Sequence, residues 1–485
     1  MTNAPPDAHR PPPHSLNYAN DGGTGHDARD PANIVEPPQS LGKALRQIGP
    51  GLILAGAIVG TGELIATTNL GAKVGFVLLW LVILSCFIKV FVQVELGRYT
   101  ISSGDTTFAG FSRLPGPGLS IAWWWVIMML ITQLQMGAMV GGIGQALHLA
   151  MPFLANALGA TDRPELPWAV ITTVVTSLML AFGSYRFIEA AMTIMVALFT
   201  AATVLCVALL PAAGHPIPWN EVVGGFTFRL PPEAIAAAVA MFGITGVGAT
   251  ELISYPYWCI EKGYARKTGP RRMTEEWVRR AKGWMAVMRL DAWVSMVVYT
   301  IATLAFFVLG AAVLHQPGNP NSGLPSRIDG VLMSLAGMYE PVMGARGSMI
   351  FMIIGVIAVL YSTLFAATAS NMRAMVDCFH VSRVINLRSS SDRTWWVTFF
   401  SVIFPMIDLL LFVWVKDPVK MVIIGGFMQA VTLPMIGAAA MYLRYKQTDR
   451  RIRPGILWDL FLWVSVLGLF TTAVIGIVDN LKKFM

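Results

Sequence analysis

The chain has 485 residues, 55% of them hydrophobic and 13% charged, with a mean hydropathy of +0.61. A soluble domain carries about a quarter charged residues, so this composition excludes an ordinary soluble protein and points to a membrane. The formal charge of +8 makes no case for nucleic acid, because the basic residues sort by loop.

Residues 1 to 40 are rich in Pro, Asp, Asn and Gly and poor in aliphatic side chains. They read as a disordered tail without the basic start and short apolar core of a secretory signal. Runs able to cross about 30 Å of hydrocarbon, roughly 20 residues each, follow near 51–71, 76–96, 121–147, 168–184, 190–212, 234–259, 286–313, 347–370, 395–415, 419–443 and 456–479. These eleven spans make the expected fold an all-α membrane protein. With the N-terminus inside, the cytoplasmic loops and the span ends next to them hold 25 of the 35 Lys and Arg residues, Arg289 included, and the outside segments and adjoining span ends nine, Lys420 included, with Lys89 left within span 2. That asymmetry is the positive-inside pattern and places the C-terminus outside. The expected location is the plasma (inner) membrane, with the loop "EKGYARKTGPRRMTEEWVRRAKG" solvated and close to headgroups. The tryptophans of "AWWWV" at 122–126 read as an interfacial belt. Cys86, Cys206, Cys259 and Cys378 have no CxxC spacing and read as small apolar residues.

The first span contains "VGTGELI" at 59–65, and the sixth contains "VGATELI" at 247–253. Each places a glutamate in mid-span, and each copy opens a half of five spans, 1 to 5 and 6 to 10. An odd number of spans makes the second copy enter the membrane from the opposite side, the inverted repeat of many transporters. Repeat 1 is expected over about 47–212 and repeat 2 over about 232–445, with an extra helix at 456–480. Gly56, Gly60 and Gly62 in span 1, and Gly243, Gly246 and Gly248 in span 6, lower helix propensity and suggest interrupted helices; Gly56 and Gly60 also match a GxxxG helix contact. Glu63 and Glu251 would then start the second half-helices, where free amides and the positive dipole end favour a carboxylate. Facing each other across a cavity they would seat a cation; the blander alternative is that each only caps its helix or pairs with Lys89.

"IGPGLILAGAIVGTGELIATTNLGAKVGF" resembles the first span of the Nramp divalent-metal transporters, where "GPG" precedes a broken helix. The resemblance continues through "VELGRYTISSGDT", "GSYRFIE", "MRLD" at 288–291 and "TLP" at 432–434, and covers nearly the whole chain from about residue 41. It implies the family's leucine-transporter-like five-plus-five architecture with helices 1 and 6 broken. The binding motifs depart from the family's. Gly60, Thr61, Gly62 and Glu63 stand for Asp-Pro-Gly-Asn; Thr250, Glu251 and Leu252 stand for Met-Pro-His; and Thr432 stands where a coordinating Gln is frequent. Gln133 and Met136 lie where acids of a proton route are expected.

The candidate cation-binding residues are therefore Gly60, Thr61, Glu63, Val247, Thr250, Glu251 and Thr432, with Glu63 and Glu251 as the metal carboxylates. Lys89, Gln133 and Gln429 are candidate pathway or coupling residues. Lys89 has two readings, an ammonium in the cavity that favours an organic solute or anion, or a side chain snorkelling to the cytoplasmic surface. Gln133, Gln135 and Gln429 either line the pathway or bond between helices, and Asp408 reads as a helix-pairing acid. A set of carboxylates, hydroxyls and carbonyls without Cys, His or Met suits Mg²⁺, Mn²⁺ or Ca²⁺. The expectation is a secondary transporter of a divalent cation, with a solute symporter as the alternative. No cofactor is implied. HExxH, GxSxG and nucleotide-binding loops are lacking, so the expected partners are the transported cation and the lipid bilayer, and an enzyme is not expected.

Overall fold

The computed structural model describes residues 33–51, 59–116, 118–182, 186–319 and 322–484. Tail residues 1–32, the Gly56 end of the first span and the start of "GSYRFIE" lie outside the described residues. All regular structure described is helical. Span 1 is represented by the helix Gly62–Thr67, whose turns are widened, continuing as Thr68–Val74. Span 2 is Leu79–Ser103, span 3 Gly118–Ala150, span 4 Leu166–Phe182 and span 5 Arg186–Leu209. Span 6 comes in two halves, Ile235–Ile244 and Ala249–Glu261. Spans 7 to 11 are Glu275–Leu309, Glu340–Val381, Ser390–Val415, Pro418–Tyr442 and Ile456–Phe484.

Eight of the described helices are long and apolar enough to cross a membrane, with Leu166–Phe182 and the stretch 194–209 as shorter apolar helices. The first half of span 6 packs along span 10, and span 3 packs on spans 8, 9 and 10. Close approach explains the small residues at that first contact. A Cβ on Gly243 would lie 2.0 Å from the Gly426 carbonyl oxygen, so the two backbones touch where a side chain would force them apart. Buried apolar side chains fill the space between these helices, and spans 4, 5, 9 and 11 keep exposed apolar faces such as Leu178, Leu198, Leu410 and Leu467. In a bilayer those faces meet acyl chains.

Residues 33–40, grouped with the tail by composition, lie against the segment before span 7. The Val35 N–H donates to the Lys267 carbonyl at 3.0 Å, and its own carbonyl accepts from the Trp284 indole at 2.9 Å. These backbone bonds need no aliphatic side chains, which is why composition did not show them. The expected tryptophan belt also needs correction. Trp123 is exposed, but Trp124 donates to Thr432 at 3.1 Å, and Trp125 is buried against Phe108.

Candidate substrate site at the helix breaks

The break in span 6 covers Thr245 to Gly248. Thr245 and Gly248 are extended, and Gly246 has φ +63, a conformation open to glycine and strained for other residues. The last carbonyls of a helix lack internal partners and carry the negative end of its dipole. Lys89 meets them. Its Nζ donates to the Phe242 oxygen at 2.6 Å and the Thr245 oxygen at 2.5 Å, and it lies 5.0 Å from the Phe242 ring centroid. Lys89 is fully buried, so snorkelling does not describe it; a negative cradle nearer than the surface holds the ammonium inside.

The start of the second half-helix is covered from span 10. Gln429 Oε1 accepts the Ala249 N–H at 2.9 Å and the Thr250 N–H at 3.4 Å, and Gln429 Nε2 donates to Gln135 Oε1 at 2.9 Å. Glu251 sits in the first turn, half-buried, with its Oε2 accepting from the Thr250 hydroxyl at 2.8 Å.

In span 1, Val59 and Gly60 form a turn, and Glu63 occupies the first turn of the helix after it. Its carboxylate is fully buried and takes three donors: the Gly60 N–H at 3.4 Å, the Gly246 N–H at 3.3 Å and the Thr303 hydroxyl at 3.2 Å. One side chain thereby closes its own turn and ties both breaks to span 7. Gly62 permits the contact, since a Cβ there would lie 3.2 Å from the Ile244 carbonyl oxygen.

Gly60, Thr61, Glu63, Val247, Thr250, Glu251, Lys89 and Gln429 thus gather at the two breaks. Thr432 and Gln133 have other partners. The Thr432 hydroxyl accepts from Trp124 and donates to the Met428 carbonyl at 2.9 Å, while Gln133 Nε2 donates to Asp408 Oδ1 at 2.9 Å between spans 3 and 9. Thr303 and Ser85, whose hydroxyl pairs with that of Thr245 at 2.7 Å, carry no motif that singles them out. The surroundings are also less purely oxygen than expected. Met241 Sδ is 3.1 Å from the Thr245 hydroxyl, and Cys86 lies beside Gly246. Both sulfurs belong to the Lys89 side of the break, whereas Glu251, Thr250 and Gln429 offer oxygen alone. Among the described residues no three His, Cys, Asp or Glu side chains form a metal-holding group, so a cation here would draw on amide, hydroxyl and carbonyl oxygens besides the carboxylates.

Further acids tie down the ends of the helices on the side that carries the basic loop at 262–283. Asp377 of span 8 accepts from the Thr106 hydroxyl at 2.7 Å and from the Tyr257 hydroxyl. Glu95 of span 2 is bonded by Arg98 at 3.0 Å, Arg444 at 2.9 Å and the Trp458 indole at 2.7 Å.

Residues 51–479 match the family model described as natural resistance-associated macrophage protein-like, Nramp. A divalent metal cation transporter MntH of Verminephrobacter eiseniae is 24% identical over 279 residues, which cover 56% of each chain. The chain spans about half the length of the curated relatives it matches. Among solved structures, the manganese transporter of Eremococcus coleocola, in complex with an aromatic bis-isothiourea substituted compound, superposes with a TM-score of 0.65 at 14% identity, covering 92% of this chain and 89% of that one. Mhp1, a nucleobase-cation-symport-1 family transporter, reaches 0.54 at 16% identity, covering 94% of both. At such identities the likeness is one of fold: all-helical, with two inverted halves of five spans and broken first and sixth helices.

Proposed function

We propose that this chain, which belongs to the Nramp family, is a secondary active transporter that moves a divalent cation through the space between its broken first and sixth spans. The observation that carries the reading is the placement of Glu63 and Glu251, each in the first turn of a half-helix at a break. The name of the MntH relative supports the substrate class. Two carboxylates outweigh the one ammonium of Lys89, and the oxygens of Thr250 and Gln429 extend the set toward a hard ion such as Mg²⁺ or Mn²⁺. Gly60, Thr61 and Val247 contribute backbone at the breaks. The sorting of Lys and Arg supports a cytoplasmic N-terminus and an outside C-terminus in the plasma membrane.

The test is uptake into liposomes by the purified full-length chain. Saturable Mn²⁺ or Mg²⁺ uptake, inhibited better by the other hard ion than by Zn²⁺ or Cu²⁺, is the expected result. Cation indifference alongside uptake of an organic solute or anion overturns it. That second reading has one observation behind it, the buried ammonium of Lys89 at the carbonyls of the break.

A further inference from the structure

Outside the transport path, spans 2, 7 and 11 enclose a groove of about 400 Å³ lined by Phe87, Phe91, Trp293, Leu457, Trp458 and Phe461. Its rim faces outward, with Leu457 66% and Phe461 39% exposed. One helical turn away, about 6 Å along the axis, the chemistry reverses. On span 2, Phe91 is followed four residues later by Glu95 and then by Arg98; on span 7, Trp293 is preceded four residues earlier by Arg289. Span 11 begins there, with Asp459 beside Trp458. All three helices therefore place an aromatic floor on the membrane side and charge on the interfacial side.

That charge is unevenly matched. Glu95 is taken by Arg98 at 3.0 Å and by Arg444 at 2.9 Å, and Arg444 also holds Asp459 at 2.6 Å. Three arginines, counting Arg289, face two carboxylates. Arg289 Nε and Arg98 Nη2 are buried without a hydrogen-bond partner among the described residues. The Arg98 guanidinium lies 5.9 Å from the Trp458 ring centroid, which joins the charged cluster to the groove.

We propose that this groove binds an anionic phospholipid, one acyl chain lying against Phe87, Phe91, Trp293 and Phe461 and the phosphate accepting from Arg289 and Arg98. A buried guanidinium N–H without an acceptor is unfavourable, and a phosphate ester supplies the acceptor and the missing negative charge. A neutral apolar ligand would fill the groove and leave the arginines unanswered. This assignment stands apart from the identity of the transported solute.

Native mass spectrometry of the full-length protein, titrated separately with phosphatidylglycerol and with phosphatidylcholine of the same acyl chains, tests it. Phosphatidylglycerol should be held about tenfold more tightly, the scale of one charge-assisted contact, because phosphatidylcholine brings its own ammonium beside the same phosphate, and Arg289→Gln should weaken phosphatidylglycerol more than phosphatidylcholine and so narrow that preference. Leu457→Glu, on the exposed rim of the groove, should weaken both lipids and the anionic one more. Equal retention of the two lipids, a preference indifferent to both variants, binding of inorganic phosphate in the lipid's place, or a dimer that excludes lipid from the groove overturns the proposal.

Discussion

The carboxylate of Asp291 in span 7 accepts the backbone N–H of Gly51 at 2.5 Å, across 240 positions of sequence. It also accepts the Gly49 N–H at 2.9 Å and the Tyr255 hydroxyl, from the second half of span 6, at 3.2 Å. Pro50 has no N–H to offer, so one carboxylate gathers both available donors at the start of span 1. Gly51 makes this approach possible, since a Cβ there would lie 2.7 Å from Ser295 Oγ. Asp291 therefore fastens the start of the first span to the two helices that flank the site.

Asp291→Asn should loosen that fastening, because an amide nitrogen would meet donor N–H groups where a carboxylate oxygen now accepts them. Hydrogen bonds to charged groups contribute about 1.5–3 kcal/mol each, so the population in which the start of span 1 is detached from Asp291 should rise by at least about tenfold. Labelling rates of a cysteine placed at Gly49 report it. Rates equal to those of the Asp291 protein would mean that the bonds do not hold the start of span 1 in place.

The two site glutamates should respond differently to amide substitution. Glu251 takes its side-chain hydrogen bond from its own neighbour Thr250, so Glu251→Gln should fold normally and lose cation binding by about tenfold or more, on the scale of 1.4 kcal/mol per decade. Glu63 accepts from three donors on three elements, and a glutamine nitrogen must face at least one of them. Glu63→Gln should therefore lose thermal stability as well as transport. Wild-type cation binding in a well-folded Glu251→Gln protein would assign that carboxylate to helix capping.

The spans and the break in span 6 were legible because apolar length and a Gly-rich interval are local signals. What Lys89 touches was not, since its carbonyl partners lie 153 and 156 positions away. The face of span 10 was equally hidden. Gln429 and Thr432 are three residues apart on a helix apolar on nearly every side, and no amphipathic stripe shows which of them meets span 6. The run Trp123 to Trp125 misled for a geometric reason: consecutive helical residues point about 100° apart, so three in a row cannot all face lipid.

Acid should release the loop between spans 10 and 11. Asp449 is held well below the usual carboxylate range, chiefly by side-chain hydrogen bonds from Arg451, and Arg271 of the preceding basic loop also pairs with it at 3.1 Å. Because the folded value is depressed, its contribution is complete above the unfolded value of about 4 and fades as pH falls through the window beneath it. Protection against hydrogen exchange over 444–455, taken relative to the intrinsic rate at each pH, should fall below about pH 4, and Asp449→Asn should show the lowered protection at neutral pH. Protection in that variant matching the parent at neutral pH would rule the pairing out as the cause.

Lys89→Met gives the sharpest separation of the two substrate readings. Methionine fills much of the lysine volume but leaves the Phe242 and Thr245 carbonyls, now bonded by the ammonium, without a donor in a buried place. An unpaired buried acceptor costs about 1–3 kcal/mol, so the variant should be less stable than its parent in the absence of divalent ions. If the site takes a cation, removing the fixed positive charge also removes a competitor for it. Added Mn²⁺ or Mg²⁺ should then restore stability, by about 2.7 kcal/mol at a hundredfold excess over Kd, and the ion should bind more tightly than to the parent. If the ammonium instead receives an anion or a solute carboxylate, Lys89→Met should lose all substrate binding and gain nothing from divalent ions. Thermal unfolding of both proteins across a Mn²⁺ and a Mg²⁺ titration distinguishes these outcomes, and a variant whose stability ignores both ions counts against the cation reading.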